Sequence, residues 1–187
     1  SNGRPLTLRG EIKLDASLKP AGNAWIGEVH LASLDGGLKL GNNARGEIVR
    51  YDNFTLDADF DPQTIKGRLG TGFKGDGYVD ATIATGWDDF SPLKGDIYFN
   101  NSRLFWLELF SPDLVRPTGD LHGHVGLAGT RGTPALSGDA QLKDFKGELP
   151  SLGITLVEGT ANLDAQADGS ARIDGTMKSV SSTGGTA

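Results

Sequence analysis

Three places in this chain hold side chains whose types and spacing could do chemistry. His122 and His124 lie two residues apart with Asp120 just before them, and in a strand that spacing puts all three on one face, where imidazoles can chelate zinc. Asp57, Asp59 and Asp61 repeat at the same interval, and carboxylate oxygens are what calcium takes. Gly70-Thr71-Gly72-Phe73-Lys74-Gly75 spells Gly-x-Gly-x-x-Gly, the pattern that lets a backbone approach a pyrophosphate. Each falls short of a site. The chain has no Cys, so the two histidines have only Asp120 as an obvious third ligand and read as part of a solvated polar face. The three aspartates alternate along one edge instead of wrapping a loop. The glycine pattern runs into GYVDATIAT, a strand, where a dinucleotide site needs a helix opening at the glycines. The pair Asp88-Asp89 has no histidine or nucleophile beside it, so neither a triad nor an acid–base pair emerges. The expectation is a protein that is not an enzyme and holds no metal and no cofactor.

The elements that position these residues are strands, and the clearest lie in residues 119–142, GDLHGHVGLAGTRGTPALSGDAQL. Every second residue from Gly119 gives Gly119, Leu121, Gly123, Val125, Leu127 and Gly129, against Asp120, His122, His124, Gly126 and Ala128 between them. Side chains alternate faces along a strand, so one face is aliphatic with glycine and the other small or polar. Thr130-Arg131-Gly132-Thr133-Pro134 is a turn, and Leu136, Gly138, Ala140 and Leu142 restart the alternation. The unit Gly-x-apolar-x-apolar recurs at Gly10, Gly27, Gly36, Gly77, Gly95, Gly138 and Gly159, which predicts one hairpin-sized unit used repeatedly.

Composition agrees with a β protein. The 187 residues include 28 glycines, well above the usual share of about 7%, and they are spread along strands, not clustered. Lys and Arg number 18 against 24 Asp and Glu, for a net charge of −6, which disfavours nucleic acid and anionic membrane surfaces as partners. No apolar run approaches the roughly 20 residues of a transmembrane helix. With no opening methionine, the piece reads as an internal segment of something longer, Ser1-Asn2 being a cloning remnant.

Along the chain, residues 6–14, 25–31, 54–60, 65–73, 79–83, 95–99, 119–128, 135–144, 152–158, 160–167 and 171–177 alternate as strands. Gly36-Gly37 and Gly41-Asn42-Asn43 read as turns on either side of Leu38 and Leu40. Residues 102–116, SRLFWLELFSPDLVR, are too densely apolar for a one-faced strand; they predict a short helix, capped by Asn101 or Ser102, that plugs an end of the apolar face. Residues 1–178 form a single domain and 179–187 a disordered tail. One short helix does not cover so long an antiparallel meander. A sandwich, a closed barrel or a sheet curled into a trough would each hide the apolar face.

The run GDLHGHVGLAGTRGTPALSGDAQL followed by LPSLGITLVEGTANLDA resembles the C-terminal conserved region of the TamB family, the translocation and assembly module subunits. That region's habit is G-x-L-x-G-x-V-x-L-x-G-T, a few residues, then P-x-L-x-G-x-x-x-L, and residues 104–177 carry the match. The resemblance implies an all-β fold: a long antiparallel meander curled into an open, β-taco-like trough with an apolar interior, similar to AsmA-like and bridge-like lipid transfer proteins. It implies a periplasmic location in a Gram-negative bacterium, as part of a protein anchored in the inner membrane. It further implies conduction of phospholipid acyl chains between the membranes, and assembly of outer-membrane proteins with a barrel partner of the TamA type. Anchoring and docking come from the resemblance alone.

The inward, groove-lining set predicted from alternation is Ile12, Leu14, Val29, Phe54, Leu56, Leu69, Phe73, Val79, Ile83, Ile97, Phe99, Leu121, Val125, Leu127, Leu142, Leu163 and Ile173. Taken without the resemblance, the same residues would equally fill a dry sandwich or barrel core. A second reading keeps the curled sheet and makes it an assembly scaffold that binds nascent outer-membrane protein strands by edge addition, without carrying lipid.

Overall fold

The computed structural model describes residues 6–40 and 46–181. They form one antiparallel sheet of eleven strands: β1 (Leu6–Gly10), β2 (Lys13–Ala21), β3 (Ala24–Leu40), β4 (Glu47–Phe60), β5 (Ile65–Gly72), β6 (Gly77–Thr85), β7 (Lys94–Arg103), β8 (Val115–Gly129), β9 (Pro134–Leu149), β10 (Ile154–Ala165) and β11 (Ala171–Ser181). From β3 onward each strand pairs with the next in sequence. β1 and β2 both pair with the long β3, β2 along its first half and β1 along its second, so together they make one interrupted edge. β11 is the other edge, and the two edges do not meet. The sheet is open.

Curvature follows from contacts that a flat sheet forbids. β4 and β7 are three strand spacings apart, about 14 Å if the sheet were flat. Yet the Arg103 guanidinium at the end of β7 donates to the carbonyl of Glu47 at the start of β4, at 2.5 Å. The same end is drawn together by Arg50 and Asp76, 3.3 Å apart, and by Lys74 on the β5–β6 turn pairing with Asp35 of β3. Gly77 is one place where glycine permits the bend: its φ is +137°, and a Cβ there would sit 2.0 Å from the Asn100 carbonyl oxygen. Bulges at Asn53, Arg116, Asp144 and Glu158, each with left-handed backbone, add twist.

Several expectations change. Gly36-Gly37 is no turn, because β3 runs straight through it; Gly36 lies beneath the Tyr51 ring, where a Cβ would meet the phenol at 2.1 Å, so these glycines make room and do not reverse the chain. The Gly41–Asn43 turn lies outside the described residues. The helix at 102–116 contracts to a five-residue 3₁₀ turn, Phe105–Leu109, whose N-cap is Leu104 without a side-chain cap bond; Asn101 is still in β7, where its amide oxygen accepts from the Trp106 indole at 3.3 Å. Residues 152–158 and 160–167 are not two strands but one, β10, and the bulge at Glu158 breaks the alternation between them. β11 continues to Ser181, past the expected start of the tail; 182–187 lie outside the described residues.

The closely packed core is small and sits at the bottom of the curl. Leu104 is fully buried, with Leu114 and Phe145 against it and Trp106, Leu107, Leu121, Leu142, Leu149 and Leu156 around them. Glu108, itself buried, accepts from the backbone N–H of Arg116 at 3.0 Å, which ties the 3₁₀ turn to the bulge that opens β8. At the opposite end the loops interlock: the Trp87 indole donates to the Asp61 carbonyl at 2.8 Å, and Gly132 N–H donates to the Asp89 carbonyl at 2.8 Å.

Candidate functional site, an apolar trough with a capped end

Directly opposed residues on antiparallel neighbours share a face, so the register can be followed across the whole sheet. One line runs Leu14, Leu31, Leu56, Leu69, Ala81, Ile97, Val125, Gly138, Ala165, Ala171, from β2 to β11 without a polar side chain. Beside it runs Val29, Ala58, Gly67, Ile83, Gly95, Leu127, Leu136. On its other side lies Val79, Phe99, Gly123, Ala140, Leu163, Ile173. Leu121 and Leu142 begin a fourth line nearer the capped end. The neighbouring register line on the opposite face reads Asp15, His30, Asp57, Arg68, Thr82, Asp96, Gly126, Ser137.

The residues expected to face inward are therefore brought together by pairing. Phe54 joins them opposite Ser33, Ile12 sits in the break between β1 and β2, and Phe73 follows β5 into the capped end. Their surroundings differ along the sheet. Phe73, Val79, Phe99 and Leu121 line a cavity, Leu121 and Leu142 pack on the core, and Ile12, Leu14, Ile83, Leu163 and Ile173 are exposed. None of the seventeen is fully buried. A sandwich or barrel would bury most of this face, so the described residues present an apolar surface of a kind soluble folds normally cover.

The capped end of the trough encloses a cavity. A cavity of about 250 Å³ is walled by Ile48 and Val49 of β4, Phe73, Val79 of β6, Phe99 of β7, Leu121 of β8 and the Trp106 ring from the 3₁₀ turn. Arg50, Asp76, Asn101 and Arg103 complete the wall. The alternating run read in this part of the chain, 54–60, stops short of Ile48 and Val49, and Trp106 lies in the 3₁₀ turn, which has no two-residue alternation. Arg103 did carry a signal: it follows Gly95, Ile97, Phe99 and Asn101 at the strand's two-residue interval, so the inward row of β7 ends on a cation.

That cation is held but not neutralised. Arg103 lies over the Phe105 ring at 4.1 Å and has no ion-pair partner among the described residues. Glu47 offers it only a carbonyl, because the Glu47 carboxylate is engaged by Arg9 at 2.5 Å, a hydrogen bond that holds its pKa below the ordinary value. Burial, and then the neighbouring Arg50, push the Arg103 guanidinium below its ordinary pKa, with Asp76, Glu47 and Glu108 working in the other direction.

The groups that suggested chemistry are spread over the polar face. His124 bonds Asp96 at 2.7 Å and stacks on Tyr98 with ring centroids 4.3 Å apart, while His122 is 3.9 Å from Asp120. Asp57 bonds His30 at 2.6 Å, and Asp61 caps its own turn through Gln63 and Thr64. No three metal-ligating side chains converge among the described residues. Gly70 to Gly75 closes β5 and turns into β6, with no helix beginning there. Against models of protein families, characterised proteins and solved structures, the chain gives no match.

Proposed function

We propose that this chain is a stretch of a TamB-like, bridge-like lipid transfer protein whose trough conducts phospholipid acyl chains. The observation that carries the proposal is the unbroken apolar line from Leu14 to Ala171 on a face that the fold leaves half open. An acyl chain gains about 0.8 kcal/mol for each CH₂ it buries, and a trough of this kind offers that burial at every step with no polar barrier. The rest of the proposal follows the resemblance: a periplasmic segment of an inner-membrane-anchored protein that delivers lipid toward the outer membrane and works with a TamA-type barrel in protein assembly.

The test is photo-crosslinking from a benzophenone side chain at Val125, with Tyr98 on the opposite face as the control, followed by mass spectrometry of the adducts. Phospholipid adducts at Val125 alone are expected. Equal labelling at both positions, or none at Val125, would rule out an acyl-lined trough.

The edges favour a second reading. All eleven residues of β11 are exposed, and its outer backbone groups face no strand among the described residues. Such an edge can accept a client strand by addition. Of two successive residues in an antiparallel strand, one directs its N–H to the partner and the other to the free side. Proline tested at Asp174 and at Gly175 thus removes one outward donor, and the strand-addition reading expects client capture to fall in one of the two variants while lipid adducts at Val125 persist.

A further inference from the structure

We infer that the capped end of the trough is a seat for the anionic head of an acyl-chain amphiphile, with the Arg103 guanidinium as its recognition group and Arg50 beside it. The inference rests on the acyl-chain reading above and adds which end of the chain is recognised, and where.

Arg103 reaches inward from the last position of the apolar row of β7 and spans to β4. Guanidinium carries five N–H donors in a planar fork. Its single hydrogen bond among the described residues is to the Glu47 carbonyl, so the remaining donors are free for a carboxylate or phosphate oxygen. Arg50 and Asp76 largely cancel each other at 3.3 Å, leaving the charged groups of the cavity wall with one surplus positive charge in a chain of net charge −6. Below the guanidinium the wall is apolar: Ile48, Val79, Phe99 and the Trp106 ring. A neutral hydrocarbon would fill that space and leave the guanidinium facing only a ring and a carbonyl. An amphiphile with a negative head answers both parts of the wall.

Two probes separate this inference from the groove itself: 11-(dansylamino)undecanoic acid and its methyl ester, titrated into the protein and read by dansyl emission excited through tryptophan. The ester reports the apolar trough, and the ratio of acid to ester affinity reports the seat. The acid is expected to bind about tenfold more tightly than the ester at low salt, since hydrogen bonds to charged groups are the strong ones and partial exposure reduces their worth. Within the Arg103→Gln variant the acid should bind no more tightly than the ester, whatever the ester's own affinity there, and Arg103→Lys should keep part of the preference. Equal affinities in the native chain would overturn the seat and leave the trough standing; that comparison needs no variant to fold. Binding of neither probe would overturn both.

Discussion

Leu104, just past the end of β7, and Ile173 of β11 are aliphatic side chains of nearly equal volume, yet one is 0% exposed and the other 72%. Leu104 sits at the capped end, packed against Leu114 and Phe145, and its backbone N–H is tied to the Pro117 carbonyl at 3.0 Å. Ile173 sits on the last strand, opposite Leu163, with nothing beyond it among the described residues. The difference teaches that this fold keeps its packing energy at one end. Elsewhere it relies on the hydrogen-bonded ladder and leaves the apolar rows for something else to cover. The residues that carry most of the packing are then largely not the ones left exposed on the apolar face.

The largest effect should come from removing the packed end. Leu104→Ala should cost about 3 kcal/mol in urea unfolding, within the range of large-to-small core changes, while Ile173→Ala should cost less than about 1 kcal/mol. Equal costs would erase the contrast. Gly77→Ala comes next, at about 1–3 kcal/mol by thermal melting, because its backbone lies in a region that only glycine adopts easily and Asn100 blocks the added carbon. Val125→Arg, in the open middle of the trough, should lower affinity for an acyl probe by about tenfold or more while changing stability little, since the long side chain can reach out of the trough to water. A large loss of stability there would mean that the middle of the face is packed as tightly as the end.

The smallest effect lies on the polar face. The hydrogen bond to Asp57 raises the pKa of His30 above its ordinary value, burial opposing it and Glu28 adding to it. The stabilisation from this pair is complete below the ordinary histidine value of about 6.5 and is lost as pH rises through the higher folded value. An NMR titration should place the His30 pKa above 6.5, and Asp57→Asn should bring it back down.

Much of this could be read from alternation. Leu121, Val125 and Leu127 share a face with Ile97 and Phe99 because the two-residue period of a strand is indifferent to the rest of the fold. Reading failed where the period itself breaks. Gly36-Gly37 looked like a turn because glycine marks turns and close approaches alike, and only the Tyr51 ring above Gly36 distinguishes them. Leu104 to Phe110 looked like a helix because its apolar density is right, but Pro112 and Pro117 lie just beyond and Phe105–Leu109 closes in a tighter turn. The capped cavity was hidden for a different reason: clean alternation begins only at Phe54, short of Ile48 and Val49, and Trp106 is outside any strand.

The sequence alone determined that this is an all-β chain with one apolar face, since side-chain alternation and glycine placement act over a few residues and need no partner to be seen. It also determined the absence of thiol chemistry and the acidic balance. Whether that face closes on itself, and where a cation such as Arg103 meets it, was decided only by tertiary structure. Curvature accumulates from small twists and bulges over eleven strands. A contact between Arg103 and Glu47, fifty-six residues apart, exists only after those from β4 to β7 have been summed.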